Sequence, residues 1–368
     1  MPAAPAILNF GAGPAMLPER VRDAIAEDVR DLGGTGIGLL EHGHRTPAFD
    51  AVIEAAEAAC RRVAGLGDEH AVLFLPGGAT LQFAMVPLNL LPPAGVADHL
   101  HTGVWTAKAM REAGRIGRVH VAFDGEAASF RRVPTAEDID PTPGAAYLHY
   151  CANNTVMGTQ MPEPPPADVP LVVDASSEIL ARPPRADVHA LIYAGGQKNL
   201  GAAGVTLVIA RRDLIEDGLV PPEVRDLPTM LDYRPHLHAG SRLNTPPTFA
   251  IQVMRRMLEW IEDEGGVDVL AERNERKAAI LYDAIDGSGG FYLGHAEPGS
   301  RSRMNVVFRT PTDDLDARFV ADAAAAGMVG LTGHRAVGGL RASIYNAFPE
   351  SGCRALAQFM AEFARRRG

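Results

Sequence analysis

Short apolar runs alternate with helical patterns through the first 210 residues of the chain. Six runs are apolar at almost every position: 71–75, 118–123, 145–150, 171–175, 190–194 and 205–210. A strand that is apolar on both sides has to be covered on both sides, as in a parallel sheet with helices packed on each face. The pattern therefore predicts an α/β fold with a doubly wound, mostly parallel sheet.

The pattern changes after about Trp260. Long helical stretches follow, interrupted by two predicted strands at 303–308 and 339–344. This mixture is typical of a small α+β unit. A length of 368 residues suits one large domain and one smaller domain.

Charge and cysteine content exclude several classes of protein. The net charge of -10 argues against a nucleic-acid or anionic-membrane partner, because either requires a basic face. The three cysteines, Cys60, Cys151 and Cys353, are too few for a disulfide framework and indicate a reducing compartment. The first seven residues lack the features of a signal peptide, and no apolar stretch reaches 18 residues. We expect a cytoplasmic protein.

A lysine and an acid follow two successive predicted strands. Lys198 stands in the glycine-rich turn 195–201, and Asp174 ends the run 171–175. Taken singly, Lys198 reads as a surface-loop lysine and Asp174 as a helix N-cap. Together they suit a pyridoxal phosphate (PLP) enzyme, in which a lysine forms the Schiff base and an acid pairs with the protonated ring nitrogen. The pair therefore favours a PLP enzyme.

Two further features suit the same cofactor. Pro76-Gly-Gly-Ala-Thr80 links a predicted strand to a predicted helix, and such a turn offers backbone N–H groups and a positive dipole end to a phosphate. An ordinary strand-to-helix turn is the alternative. Trp105 follows an expected strand end, where its flat ring can stack on the pyridine. A lone tryptophan is otherwise a core residue.

Basic residues cluster in glycine-rich loops of this acidic chain. They are His44-Arg45, His334-Arg335 and Arg341. Arginine binds a planar carboxylate through two parallel bonds, and His-Arg pairs suit a phosphate. A solvated loop charge is the alternative for each dipeptide. We find no metal-ligand spacing, no Gly-x-Ser-x-Gly elbow and no Walker-type phosphate loop.

Taken together, these segments resemble the phosphoserine aminotransferases, a family of fold-type I, class V PLP enzymes. The resemblance extends from Asn9 to Phe363. Its most specific pieces are the segments 11–18, 193–201, 243–249, 301–305 and 333–347. It implies an aspartate aminotransferase-like fold, with a large PLP-binding domain over 17–264 and a small α+β domain formed by 1–16 and 265–368.

The resemblance also implies an activity. This is reversible amino transfer from L-glutamate to 3-phosphohydroxypyruvate, giving O-phospho-L-serine and 2-oxoglutarate in serine biosynthesis. A homodimer with shared active sites is implied as well. The related 4-phosphohydroxy-L-threonine of pyridoxine biosynthesis stays open as a second substrate.

Site residues follow from the resemblance. Lys198 would carry the cofactor, Asp174 would pair with its ring nitrogen, and Arg341 would hold the substrate α-carboxylate. Trp105 would stack on the ring and Thr155 would bond its hydroxyl. The cofactor phosphate would be bound by Ala79, Thr80, Ser176, Gln197 and, from the other subunit, Asn244 and Thr245. The substrate phosphate would be bound by His334, Arg335 and, across the dimer, His44 and Arg45.

Two positions depart from the family pattern. Many members have Gly-Arg where this chain has Ala79-Thr80, so an arginine ligand of the cofactor phosphate is missing. Members usually have Ser-His-Arg where this chain has Gly43-His-Arg45. Neither departure removes a proposed substrate ligand.

Two other functions compete with this interpretation. Another class V enzyme is one, such as an alanine–glyoxylate aminotransferase or a cysteine desulfurase. A desulfurase needs a reactive loop cysteine, but Cys353 lies at an apparent helix start, and a glyoxylate enzyme has no use for two His-Arg clusters. The other is a cofactor-free sugar-phosphate or nucleotide-binding protein, which leaves Lys198 and Asp174 unexplained.

Overall fold

The structure is a computed structural model that describes residues 7–218 and 226–367. The expectation about the first seven residues falls, apart from Ile7, outside these ranges. The helices of the described ranges are α1 (Glu19–Arg30), α2 (Pro47–Ala64), α3 (Gly78–Leu90), α4 (Val104–Ala113), α5 (Arg212–Glu216), α6 (Tyr233–His238), α7 (Thr248–Asp263), α8 (Val267–Asp286), α9 (Asp313–Ala325) and α10 (Glu350–Arg367). The strands are β1 (Leu8–Asn9), β2 (His70–Leu75), β3 (Val96–His101), β4 (Arg118–Asp124), β5 (Tyr147–Cys151), β6 (Asn153–Asn154), β7 (Thr159–Gln160), β8 (Leu171–Asp174), β9 (Leu191–Gly195), β10 (Thr206–Arg211), β11 (Leu293–Gly294), β12 (Asn305–Arg309), β13 (Met328–Val329) and β14 (Leu340–Ser343).

A seven-stranded sheet with the order β2-β10-β9-β8-β5-β3-β4 forms the centre of the larger part. Six strands run in the same direction, and β10 alone is antiparallel to both of its neighbours. The predicted α/β fold with a mostly parallel sheet is confirmed. The chain leaves β9, makes the turn that contains Lys198, and returns directly as β10.

The six apolar runs did not include strand β3, although a strand end was expected before Trp105. Polar residues interrupt it, yet Asp98 and His99 are buried in the structure. One carboxylate oxygen of Asp98 accepts a 2.6 Å hydrogen bond from the backbone N–H of Thr142, and the other lies 3.2 Å from Nδ1 of His120. Hydrogen bonds to residues far along the chain therefore allow a polar strand in the sheet interior, which hydrophobicity alone could not predict.

Helices cover both faces of this sheet. Side chains alternate between the two faces along each strand. In β9, Ile192 packs in a core with α2 and α7, whereas Leu191 and Tyr193 pack in another core with α3 and α4. The doubly wound arrangement follows from this alternation.

A separate core surrounds the antiparallel sheet β11-β12-β14. Its centre is a group of edge-to-face aromatic rings around Phe319, including Tyr292 and Phe363. The N-terminal strand β1 pairs in parallel with β13, and Phe10 belongs to the same core. The N-terminal segment thus packs with the C-terminal part of the chain, although the exact domain boundaries stay a prediction.

Within the described ranges, no helix combines the length and the apolar character needed to cross a lipid bilayer.

Candidate active site

The predicted site residues gather at one edge of the large sheet. Parallel strands end at a common edge, so the segments that follow β2, β3, β5, β8 and β9 all begin there. These segments carry most of the predicted cofactor-binding residues.

Lys198 is buried in the turn after β9. Its Nζ donates a 2.7 Å hydrogen bond to Oγ1 of Thr155. Burial lowers the pKa of Lys198, and the nearby Asp174 and Cys151 partly oppose this effect. A lowered pKa favours the neutral amine, which is the form that attacks a carbonyl carbon.

Asp174 ends β8 and is also buried. The backbone N–H of Ser176 donates a 3.0 Å hydrogen bond to its Oδ1. Turns, and not a helix, follow Asp174, so the alternative reading as a helix N-cap is wrong. Burial raises the pKa of Asp174, while its bonds to Ser176 and the charge of Lys198 lower it. Within the described ranges no ion pair joins Asp174 to Lys198, although each acts on the charge of the other.

Trp105 lies in the first turn of α4, directly after β3. The Nζ of Lys198 is 5.7 Å from the centroid of its indole ring. Its Nε1 is buried and makes no hydrogen bond within the described residues. An aromatic ring with an unused donor therefore faces the lysine.

The glycine-rich turn after β2 opens α3. Gly77 and Gly78 have φ values of 93° and 66°, which few other residues adopt, and Ala79 and Thr80 lie in the first helical turn. The N–H groups of a first turn have no intrahelical acceptors. They form a site for an anion at the same sheet edge.

Ser176 and Gln197 follow β8 and β9 at the same edge of the sheet. The Oγ of Ser176 accepts a 3.1 Å hydrogen bond from the N–H of Gly195. The carbonyl of Gln197 accepts a 2.9 Å bond from the N–H of Ala15. The N-terminal segment therefore lies against the lysine turn, and an added Cβ at Gly13 would stand 3.4 Å from Cγ of Lys198.

These residues fit pyridoxal phosphate. Lys198 and Asp174 are both buried, and the charge of each acts on the pKa of the other. Within the described ranges they form no ion pair. A cationic ring nitrogen would stabilise the charged form of Asp174, and a helix N-terminus would bind the phosphate. These residues thus match both the ring and the phosphate of the cofactor.

Basic groups continue from Lys198 toward the small sheet. Nη1 of Arg341 lies 3.4 Å from the carbonyl oxygen of Thr155, and its Nε is buried without a partner in the described ranges. Burial lowers the pKa of His334, and the charges of Arg341, Arg335 and Lys108 lower it further. The predicted substrate residues of this segment thus lie in one positive region.

Four predicted residues lie apart from this group. His44 and Arg45 precede α2, and Asn244 and Thr245 precede α7. Within the described ranges, no hydrogen bond or ion pair joins any of them to the residues around Lys198. The two loops lie at the same end of a parallel helix pair, because Arg242 pairs with Asp50 at one end and Arg62 with Glu262 at the other.

Sequence reasoning assigned no role to three residues of the site. The hydroxyl of Tyr345 donates a 2.9 Å bond to the carbonyl of Ala12 and accepts a 3.2 Å bond from Nδ2 of Asn305. Lys108 lies over the ring of Trp105. Tyr345 and Asn305 fall in the distinctive segments 333–347 and 301–305, but nothing in the sequence indicates the role of Lys108.

All three cysteines are buried. Cys353 lies inside α10 and Cys60 inside α2, where burial raises the pKa of each thiol to about 12. Neither supplies the exposed, reactive loop thiol that a cysteine desulfurase requires.

Comparisons with known proteins agree with this geometry. The model of the class V aminotransferase family matches residues 7–356. A phosphoserine aminotransferase of Geobacillus kaustophilus is 49% identical over 361 residues, with 97% of this chain and 98% of the relative covered. The solved phosphoserine aminotransferase of Bacillus circulans subsp. alkalophilus has a TM-score of 0.95 and 44% identity, covering 99% of this chain and 100% of that one.

A PLP-bound phosphoserine aminotransferase from Trichomonas vaginalis has a TM-score of 0.89 and 33% identity, covering 96% of this chain and 99% of the other. A cofactor-free binding protein is therefore the wrong interpretation. The chain belongs to the class V aminotransferases and, within them, to the phosphoserine aminotransferase family.

Proposed function

We propose that this chain transfers the amino group of L-glutamate to 3-phosphohydroxypyruvate, giving O-phospho-L-serine and 2-oxoglutarate. The main support is the position of one positive region, formed by His334, Arg335 and Arg341, beside the buried pair Lys198 and Asp174. A substrate held at Lys198 would extend its anionic groups toward this region. The reaction belongs to serine biosynthesis.

The cofactor is pyridoxal 5′-phosphate, which supplies an aldehyde that takes up amino groups and a ring that withdraws electrons. Lys198 is the residue that would hold it. The lowered pKa of Lys198 suits it to remove the proton from the substrate α-carbon and to return it in the reverse half-reaction. Thr155 receives the hydrogen bond of this amine and would orient it.

Asp174 would stabilise positive charge at the ring nitrogen. Its buried carboxylate has a raised pKa, and within the described residues it forms no ion pair. Trp105 would cover one ring face. The first turn of α3 with Ala79 and Thr80, together with Ser176 and Gln197, would bind the phosphate.

The substrate has two anionic ends. Arg341 would bind the α-carboxylate, since its guanidinium is half-buried beside Thr155 and its Nε lacks a partner within the described ranges. His334 and Arg335 would bind the phosphate of one substrate and the side-chain carboxylate of the other.

We also propose a cytoplasmic homodimer that completes each site from both subunits. His44, Arg45, Asn244 and Thr245 would act in the partner's site, since their two loops lie together on one surface. Exposed apolar side chains accompany these loops, with Ile37 45%, Leu40 64% and Phe249 37% exposed. Apolar side chains of this kind are typical of an interface between subunits.

An absorbance titration of the purified protein tests the activity. The visible band of the bound cofactor should fade with O-phosphoserine and persist with serine at equal concentration. A band that responds equally to serine or alanine would move the chain to another class V activity. The Lys198→Ala variant should lack the band of the wild-type protein and all transfer activity.

Mixing two inactive variants tests the shared site. Lys198→Ala lacks the amine, and Arg45→Ala lacks a phosphate ligand. If Arg45 acts in the partner's site, a hybrid dimer carries both lesions in one site and leaves the other intact. Re-associated mixtures should then regain about a quarter of the wild-type activity. Mixtures that stay as inactive as their parents would show that Arg45 acts within its own subunit.

A further inference from the structure

Lys108 lies at the rim of the candidate site, three residues after Trp105 on α4. Residues three apart share a helix face. The Nζ of Lys108 is 4.5 Å from the centroid of the Trp105 ring, and the Nζ of Lys198 is 5.7 Å from the same centroid. Two amines therefore approach the same indole ring.

Lysine is a rare residue type in this chain. The sequence contains three lysines, Lys108, Lys198 and Lys277, against 32 arginines. Lys198 and Lys277 are buried and each donates to specific acceptors. Lys108 is half-buried and, within the described ranges, forms no ion pair or hydrogen bond. Its ammonium group is available to an anion.

The charge of Lys108 acts on the region of the site that contains His334. Lys108, Arg335 and Arg341 all act on His334. Positive groups held near one another repel, and an anion between them removes this repulsion. A phosphate dianion gains more from an added cation than a carboxylate of single charge.

We propose that Lys108 is a substrate-binding residue that contacts the phosphate of the phosphorylated substrate and sets the preference for it over glutamate. This inference rests on the proposed function. Lys108 adds a positive group to its own subunit's phosphate site, which would also contain His334 and Arg335. Its compact ammonium group also fits beside the Trp105 ring with little displacement.

Lys108→Met tests the proposal, because the unbranched methionine keeps the packing on Trp105 and removes the charge. Two quantities decide it in the holoenzyme: the Kd of inorganic phosphate by calorimetry, and the KM values of O-phosphoserine and glutamate. We expect Lys108→Met to weaken phosphate binding and to raise the KM of phosphoserine by about tenfold each, with the KM of glutamate within about threefold.

Two variants serve as matched controls. Lys108→Arg keeps the charge and should stay close to wild type in phosphate binding. Arg111→Met removes a cation one turn further along α4, where Arg111 pairs with Glu112, and should change neither KM. An unchanged phosphate Kd in Lys108→Met overturns the proposal. So does an equal loss for phosphoserine and glutamate, which would show that Lys108 only orients Trp105.

The phosphate measurement also separates this inference from the proposed function. Wild-type protein that binds phosphate but does not convert phosphoserine contradicts the function, while Lys108 is still judged by its effect on phosphate binding. Wild-type protein that binds no phosphate contradicts the role of Lys108.

Discussion

The side-chain Oδ1 of Asn199 accepts a 3.0 Å hydrogen bond from the backbone N–H of Asn346. Asn199 directly follows Lys198, and Asn346 follows Tyr345 in the segment after β14. The Nδ2 of Asn199 donates a further 3.0 Å bond to the carbonyl of Ile179. One buried amide thus ties the lysine turn to the segment that carries Arg341.

Asn199→Ala should impair catalysis as well as stability. It leaves the N–H of Asn346 and the carbonyl of Ile179 without partners, which costs about 1–3 kcal/mol for each buried group. The lysine turn also loses its connection to the substrate-binding segment, so we expect kcat to fall by about tenfold or more. Steady-state kinetics and denaturant unfolding measure the two effects.

Asn89→Ala is the matched control for this prediction. Asn89 is equally buried and bridges Met85, Leu231 and Tyr233, but it lies at the far end of α3 from the site. It should lose similar stability and keep its kcat. Equal kcat losses in both variants would mean that Asn199 has no special connection to the site.

Asp174→Asn should lower kcat by about a hundredfold or more, since the carboxylate charge that would stabilise a cationic ring nitrogen is gone. The N–H of Ser176 can still donate to the amide oxygen, so the turn should keep its shape. Burial raises the pKa of Asp174, so the charged form costs free energy in the cofactor-free protein. The thermal midpoint of the cofactor-free variant should therefore equal or exceed that of wild type, and a large drop would contradict this account.

Lys277 should make stability depend on pH. Burial lowers its pKa from 10.5 to about 7, and its Nζ donates to the carbonyls of Ile344, Tyr345 and Phe348. Between these two pH values the unfolded chain binds more protons than the folded chain, so the free energy of unfolding rises with pH. Below about pH 7 both states bind the proton and the slope vanishes.

Lys277→Met should remove this rise and lower stability by about 2–4 kcal/mol, because the buried carbonyls around Nζ lose their donor. Urea unfolding at pH 7 and pH 9 measures both effects, with Lys108→Met as the control at a half-buried lysine. Parallel pH curves for wild type and Lys277→Met would contradict the prediction.

The buried part of the site could be predicted from the sequence because each of its residues is marked by a local sequence pattern. Lys198 and Asp174 follow apolar runs, and a run of that kind marks a buried strand whose end position is then known. The apolar-run pattern missed strand β3 because Asp98 is buried through hydrogen bonds to distant residues, and His99 is buried next to it. Lys108 escaped notice for a similar reason, since its electrostatic action on His334, which is far along the chain, follows from the fold and not from any local pattern.

The positions of the loops before α2 and α7 could not be predicted from local sequence patterns either. The roles of His44 and Asn244 in these loops came from the family resemblance alone. Within one subunit the two loops lie together, but they do not reach Lys198. Contacts between subunits leave no periodic signal in a sequence. Exposed Leu40 and Phe249 indicate the surface only once the fold is known.

Protonation of His334 should make anion binding stronger as the pH falls. The N–H of Ala336 donates a 3.2 Å bond to Nδ1, which leaves the proton of the neutral ring on Nε2. Burial and the charges of Arg341, Arg335 and Lys108 hold the pKa below its ordinary value of 6.5. The free site therefore contains a neutral His334 at pH 7, and a bound dianion favours the charged ring, so affinity should rise as the pH falls below 6.5.

Sulfate is the suitable probe because it keeps both charges over this range. Calorimetric Kd values should change by less than about twofold between pH 8.5 and pH 7 and then fall by about fivefold between pH 6.5 and pH 5.5, as proton uptake by one histidine allows. His334→Gln keeps a neutral donor and should flatten the lower part of the curve. A wild-type affinity that rises equally in His334→Gln would assign the titration to another group.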